Sequence, residues 1–202
     1  KAFIVRIANS FCPEPREIIK LDPEIPEMVI SRYSMGAKPE RVLLADLDGS
    51  GLEEVLVSCD GSSNGGNANG TTDSLGYVII LNNDLVPEWI HPFEGSNPNV
   101  FAVPVAGEDG FRILALVWPG AGKDRPKIWL FDALNGKILD TVTFERGISG
   151  VRPVVEHEDR FEGLLVTRYG RNVPARVTVS EDSVIVEDTG GDSGLFALRQ
   201  SI

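Results

Sequence analysis

The sequence predicts an all-β chain built from repeated, blade-like units. Three observations carry this. Apolar, β-branched runs recur at a roughly even distance: Val55-Leu56-Val57, Ile113-Leu114-Ala115-Leu116-Val117 and Leu164-Leu165-Val166. Each is entered and left through Gly, Asn, Asp or Ser clusters, the punctuation of strands. A 3.6-residue apolar stripe is absent beyond short helical turns expected near Pro15–Lys20 and Pro23–Val29.

The units follow in order. The first spans about 41–95 and begins with the strand ending Glu54-Val55-Leu56-Val57-Ser58. Tyr77-Val78-Ile79-Ile80-Leu81 is its next strand, and a third lies near Glu88–Phe93. The second unit, about 96–147, holds Arg112–Val117, then Lys127-Ile128-Trp129-Leu130-Phe131, then Lys137–Phe144. Its inner turn contains Asn135-Gly136, the strongest short hairpin signal. The third unit, about 148–190, holds Gly163–Thr167, Ala175–Val179 and Ser183–Glu187. Val55, Ile113 and Leu164 stand 58 and 51 positions apart. A repeat of about 50 residues with four short antiparallel strands is the size of a β-propeller blade, so about three to four blades are expected. Phe3–Ala8 and Met28–Tyr33 are further strand candidates, and with Leu195–Arg199 they suggest a composite blade made by both termini. The competing readings are a section of a larger propeller and a sandwich. The chain opens at Lys1 without an initiator Met, which suggests a processed or excised piece of a longer chain.

Composition narrows the function classes. Of 202 residues, 42% are hydrophobic, enough for a core, and no window approaches the length of a membrane-spanning helix. The net charge of −11 argues against nucleic acid, whose binding needs clustered Lys and Arg. It also argues against a bare anionic membrane surface. It fits a secreted or surface-exposed cation-binding protein, placed outside the cell or in a periplasm, and equally a plain soluble acidic surface.

Asp46-Leu47-Asp48-Gly49-Ser50-Gly51-Leu52-Glu53-Glu54 is the segment richest in chemistry. Oxygen donors at alternating positions can wrap one hard cation, and Ca²⁺ takes oxygen ligands only. Asp46, Asp48 and Glu54 supply carboxylates, Ser50 a hydroxyl and Leu52 a backbone carbonyl. Three carboxylates within nine residues repel unless a positive charge sits among them. This is no EF-hand: position twelve is Val57, inside an apolar run, where that loop needs Glu. The plain alternative is an acidic hairpin turn.

Leu43 through Val57 resembles an FG-GAP (VCBS-type) repeat, the unit of integrin α-subunit propellers and of many secreted bacterial proteins. The resemblance implies a propeller, and Ca²⁺ held by Asp46, Asp48, Ser50, the Leu52 carbonyl and Glu54. It covers these fifteen residues only. The matching turns of the later units, Ala106–Phe111 and Glu156–Arg160, lack the ligand set, and the Phe-Gly and Gly-Ala-Pro signatures are missing. Residues 128–139 resemble the hairpin of quinoprotein-like propellers, which bears on architecture and implies no quinone.

Other motifs are weaker. Asp60–Gly76 is a long Gly-, Ser- and Asn-rich stretch. It reads either as a solvated excursion or as a partner or second-cation loop using Asp60, Asn64, Asn67 and Asp73. Asn69-Gly70-Thr71 is an N-glycosylation sequon. Cys12 and Cys59 lack CxxC spacing; a disulfide between them in an oxidising compartment and two buried free thiols are the two options. Asp188-Thr189-Gly190, Gly191-Asp192-Ser193-Gly194 and Gly120-Ala121-Gly122-Lys123 each lack the partners their catalytic or phosphate-binding look-alikes need. His91 and His157 read as surface or packing residues, and Trp89, Trp118 and Trp129 as core.

The expected function is therefore a non-catalytic binding or structural module, braced by Ca²⁺ at one loop, with a protein or carbohydrate ligand. The alternatives are a polysaccharide lyase-like enzyme on a Ca²⁺-bearing propeller and a self-assembling subunit of an extracellular filament.

Overall fold

The computed structural model describes residues 3–7, 16–107, 110–120, 125–145, 148–157, 160–168, 171–180, 182–189 and 197–199. Among them every regular element is a strand, and no helix is long and apolar enough to cross a membrane. The strand pairs whose register is described are all antiparallel.

The chain divides into two compact units, one formed by 1–46, 50–101 and 119–122, the other by 47–49, 102–118 and 123–202. The first unit opens with β1 (Phe3–Ile7), β2 (Arg16–Leu21) and β3 (Val29–Met35), a three-stranded sheet in that order. Residues 16–20 are thus a strand, which corrects the helical turn expected near Pro15–Lys20. Burial there alternates with period two, Arg16 and Ile18 inward and their neighbours half-exposed, and that is a strand's periodicity. The segment 22–28 is a hairpin loop. Asp22 Oδ1 accepts the N–H groups of Glu24 and Ile25 at 2.7 and 3.0 Å, an Asx turn.

Next come β4 (Lys38–Ala45), β5 (Glu54–Asp60), the two-residue strands β6 (Asn67–Ala68) and β7 (Thr71–Thr72), then β8 (Gly76–Leu81) and β9 (Pro87–Phe93). β4, β5, β8 and β9 form one four-stranded sheet in that order. β5 and β8 are its central strands and are buried on both faces, so they read as continuous apolar runs rather than alternating ones. Their odd-numbered side chains, Val55, Val57, Cys59, Tyr77, Ile79 and Leu81, share one core with Ile18, Tyr33, Met35 and Ala37.

The second unit carries β10 (Asn99–Gly107), whose first residues belong to the first unit, followed by β11 (Gly110–Trp118), β12 (Lys127–Asp132) and β13 (Ile138–Phe144). A last strand, β18 (Ala197–Arg199), adds to the β13 edge of this sheet. The C-terminal strand therefore pairs with β13 and not with an N-terminal strand, unlike the composite pairing expected from sequence. The β12–β13 turn is closed by Asp132 Oδ1, which accepts Leu134 N–H at 2.9 Å, and Gly136 takes φ 68°. A four-stranded sheet follows: β14 (Ile148–His157), β15 (Arg160–Arg168), β16 (Arg171–Ser180) and β17 (Ser183–Asp188). Asp140 on β13 ties the two sheets, since its Oδ2 accepts Val184 N–H on β17 at 2.7 Å.

The glycine-rich stretch 60–76 is held by its own polar contacts, many of them to Asp73. It wraps a buried ion pair. Arg16, fully buried, lies 3.6 Å from Asp73 Oδ2. Its guanidinium also donates to Gly36 O and to Ser62 Oγ, the latter at 3.1 Å. Asp73 accepts the N–H groups of Asn64 and Gly65 at 2.6 and 3.1 Å. Its own backbone binds Ser62, Ser63 and Gly66. Burial opposes the Asp73 carboxylate, but the N–H donors and Arg16 outweigh it and hold its pKa below the ordinary value. Gly66 and Gly36 have to be glycines: a Cβ on Gly66 would stand 2.6 Å from Arg16 Nη1, and one on Gly36 2.4 Å from Thr71 O. Asp60 has the opposite balance. Burial pushes its pKa up from 3.8 to about 6, although its Oδ1 accepts Val100 N–H at 2.7 Å.

Breaking a buried pair strands its partner's charge. Asp73→Ala is therefore expected to cost about 3–5 kcal/mol, and the double variant Arg16→Met/Asp73→Leu to recover most of that loss; urea unfolding at pH 7 reads both. The two acids also predict opposite pH trends. The lowered Asp73 pKa contributes stability that is present above the ordinary carboxyl pKa and lost as pH falls through the folded value. The raised Asp60 pKa contributes stability present below 3.8 and lost as pH rises to about 6. Asp60→Asn should remove that second decline, so its stability relative to the parent should rise across this window.

Candidate metal centre

The acidic loop joins β4 to β5. Antiparallel pairing sets Ala45 opposite Glu54, so the chain must reverse within residues 46–53. Gly49 and Gly51 make this possible with φ of 74° and 86°. A Cβ at either would meet nothing within 4 Å, so the requirement is conformational and not one of space. Asp46 closes the turn from inside: its Oδ2 accepts Gly51 N–H at 3.0 Å. Ser50 Oγ accepts Leu52 N–H at 3.2 Å.

This wrap gathers Asp46, Asp48 and Glu54. One carboxylate oxygen from each lies within 4.8 Å of the others. Among the described residues no other three His, Cys, Asp or Glu side chains meet this way. Two oxygens bound to one Ca²⁺ at about 2.4 Å can stand no more than about 4.8 Å apart, so the spacing fits a shared ion. Asp48 is exposed, Asp46 half-buried, and Glu54 only 4% exposed. Like charges about 4 Å apart repel by about 1 kcal/mol in water and about 4 kcal/mol at an effective dielectric of about 20. A second observation marks the site. Asp46 Oδ1 is buried and has no hydrogen-bond partner. A buried oxygen in that state costs free energy unless something electropositive meets it. The donors are all oxygens, so the residues present fit a hard cation.

The five expected ligands thus lie in one turn. Three converge as carboxylates, while Ser50 and Leu52 are exposed and joined by the Ser50 Oγ bond. Asp60 and Asp73 do not join them; each is engaged by backbone N–H groups. Asn69 sits in the β6–β7 turn at φ 47°, and its Nδ2 donates to Ser34 O at 2.9 Å. Thr71 of the sequon is fully buried; its hydroxyl donates to Ala68 O and accepts Gly36 N–H. Cys59 carries a buried thiol 3.6 Å from Met35 Sδ, and burial raises its pKa. Cys12 lies outside the described residues. His91 packs on Phe93 with ring centroids 4.9 Å apart, and burial lowers its pKa. The His157 side chain and Gly191–Gly194 lie outside the described residues. Trp129 is half-buried, stacked on Phe131 at 6.2 Å with Lys127 over its ring.

Sequence reasoning missed Arg16, which no spacing marks as the partner of Asp73 57 positions later. It also missed the turn 82–86 beside the acidic loop, where Asn83 Nδ2 donates to Glu53 O at 3.3 Å.

No protein-family model matches the chain, and no curated protein matches it.

Because the turn depends on positive φ, Gly49→Ala and Gly51→Ala are each expected to cost about 1–2 kcal/mol. Thermal unfolding of the two variants in chelator, where no cation contributes, checks this.

Proposed function

We propose that this chain is a non-catalytic binding or structural module, of β-propeller type and working outside the cell, that uses one Ca²⁺ to brace the turn between β4 and β5. The observation that carries the reading is the convergence of Asp46, Asp48 and Glu54 within 4.8 Å together with the orphaned, buried Asp46 Oδ1. The likeness of residues 43–57 to FG-GAP repeats supports the same assignment of ligands, and repeated four-stranded antiparallel sheets suit a propeller.

The cation would act by mass action. It binds the folded turn and not the unfolded chain, so it stabilises the fold in proportion to its concentration over its Kd. Three carboxylates on an exposed turn suit the weak extracellular range of about 10⁻⁴–10⁻³ M. Asp48 and Glu54 are then ligands that supply charge, and Asp46 both closes the turn through Gly51 and offers its second oxygen to the ion. The ligand of the module itself is a protein or a carbohydrate, with self-assembly as a further use of the same surface.

The test is a melting curve with Ca²⁺ at several millimolar and with excess chelator. Ca²⁺ should raise Tm in the parent, and Asp48→Ala should remove the rise while leaving the chelator curve unchanged or slightly higher. Mg²⁺ should do less, because it demands near-octahedral geometry and gives up its waters reluctantly. Identical curves in Ca²⁺ and chelator would sink the reading.

A further inference from the structure

The acidic turn is held from outside by a residue that no metal motif contains. Asn83 lies in the turn between β8 and β9, residues 82–86. That turn is built rigidly. Asn82 Oδ1 accepts the N–H groups of Asp84 and Val86 at 3.0 and 2.9 Å. Backbone bonds also join Asn82 N–H to Val86 O and Leu85 N–H to Asn82 O, both at 2.9 Å. Leu85 takes φ 61°, a conformation costly for a branched side chain. Burial offsets the strain: Leu85 is 3% exposed and belongs to the same core cluster as Ile18, Val55 and Leu81. The side chain acts as a plug that sets the turn at a fixed height above the sheet.

From this turn Asn83 reaches in two directions. Its Nδ2 donates to Glu53 O at 3.3 Å. Its Oδ1 and backbone O accept Lys20 Nζ at 2.5 and 2.7 Å, from β2 of the neighbouring sheet. Lys20 orients the amide, because an ammonium can only donate and so selects the oxygen side. The nitrogen must then face Glu53. Glu53 is the residue before Glu54, so a fixed Glu53 carbonyl fixes the peptide that leads into the most buried of the three carboxylates.

We propose that Asn83 is a positioning residue for the cation turn, holding its C-terminal limb so that Glu54 is preorganised for the ion. This rests on the cation reading of that turn for its functional consequence, but the strut itself is independent of any ion. Preorganised ligands bind more tightly because less freedom is lost on binding. Losing one neutral hydrogen bond of ordinary net strength corresponds to about a fivefold change in an equilibrium constant.

The experiment compares the parent with Asn83→Ala, and with Asn83→Ser, whose shorter side chain does not reach Glu53. Two quantities are measured: Ca²⁺ affinity by calorimetry well below Tm, and amide exchange in chelator at Gly51 and Leu52, whose N–H groups are bonded within the turn. Both variants should bind Ca²⁺ about fivefold more weakly and exchange at Gly51 and Leu52 about fivefold faster. Core amides of Val57 and Ile79 should keep their protection, which a general loss of stability would not allow. Unchanged exchange at Gly51 and Leu52 overturns the strut. Unchanged affinity in variants of a parent that does bind Ca²⁺ overturns its role toward the ion. A parent that binds no Ca²⁺ overturns the positioning of a ligand together with the cation reading, while faster turn exchange in the variants would still leave Asn83 as the strut.

Discussion

The first unit depends on one constraint: a guanidinium with no access to water must find enough oxygens. Arg16 is fully buried, so its donors are met by Gly36 O, Ser62 Oγ and Asp73. Each of these lies on a different segment, at the end of β3, in the 60–66 loop and just after β7. Satisfying the one cation therefore fixes where three pieces of chain meet. The glycines follow from it, since Gly36 and Gly66 leave room for backbone where any Cβ would collide. So does the conformation of the long loop, whose N–H groups turn inward to Asp73. A loop of that composition is free to wander when judged alone. Here it is ordered because the charge it encloses cannot be left unsatisfied.

The same principle separates the acidic residues into two kinds. Asp73 and Asp140 sit in the interior and are saturated by N–H donors, so their negative charge belongs to the fold. Asp46, Asp48 and Glu54 crowd one another, and one Asp46 oxygen is buried with nothing to accept from. The first kind is an answered electrostatic demand. The second is a crowding of three carboxylates in one turn, with a single buried oxygen of Asp46 left over. The chemistry of the turn and the packing of its surroundings are thus linked, through Glu53, Asn83 and Lys20, to the sheet that Arg16 anchors.

Edges of the sheets are also managed by composition. β9 carries Pro87 and Pro92, β4 carries Pro39, β10 carries Pro104 and β14 carries Pro153. Proline has no N–H to offer a ladder, and its place on edge strands is the usual one. β3 lacks a proline, and part of its length is capped instead by Asn69, whose amide takes Ser34 O. The Asn-Gly turn that reads as a glycosylation sequon is therefore also a structural cap.

By itself the sequence determined the strand content, the even spacing of apolar runs and the acidic turn, because each is a local pattern. Period-two burial, turn glycines and alternating oxygen donors all act over fewer than ten residues, and strands near Glu54–Ser58, Tyr77–Leu81, Lys127–Phe131 and Ser183–Glu187 stand where those patterns place them. Near Pro15–Lys20 a helical turn is expected and a strand from Arg16 is found, because a buried Arg at its head hides the alternation that Ile18 continues. Only the tertiary structure decided that Arg16 pairs with Asp73, that β18 joins β13, that burial raises the pKa of Asp60 while N–H donors and Arg16 lower that of Asp73, and that Asn83 meets the Glu53 carbonyl beside the acidic turn. These are meetings of residues far apart in the chain. Their energies come from burial and from partners brought by the fold, and no spacing along the sequence encodes either.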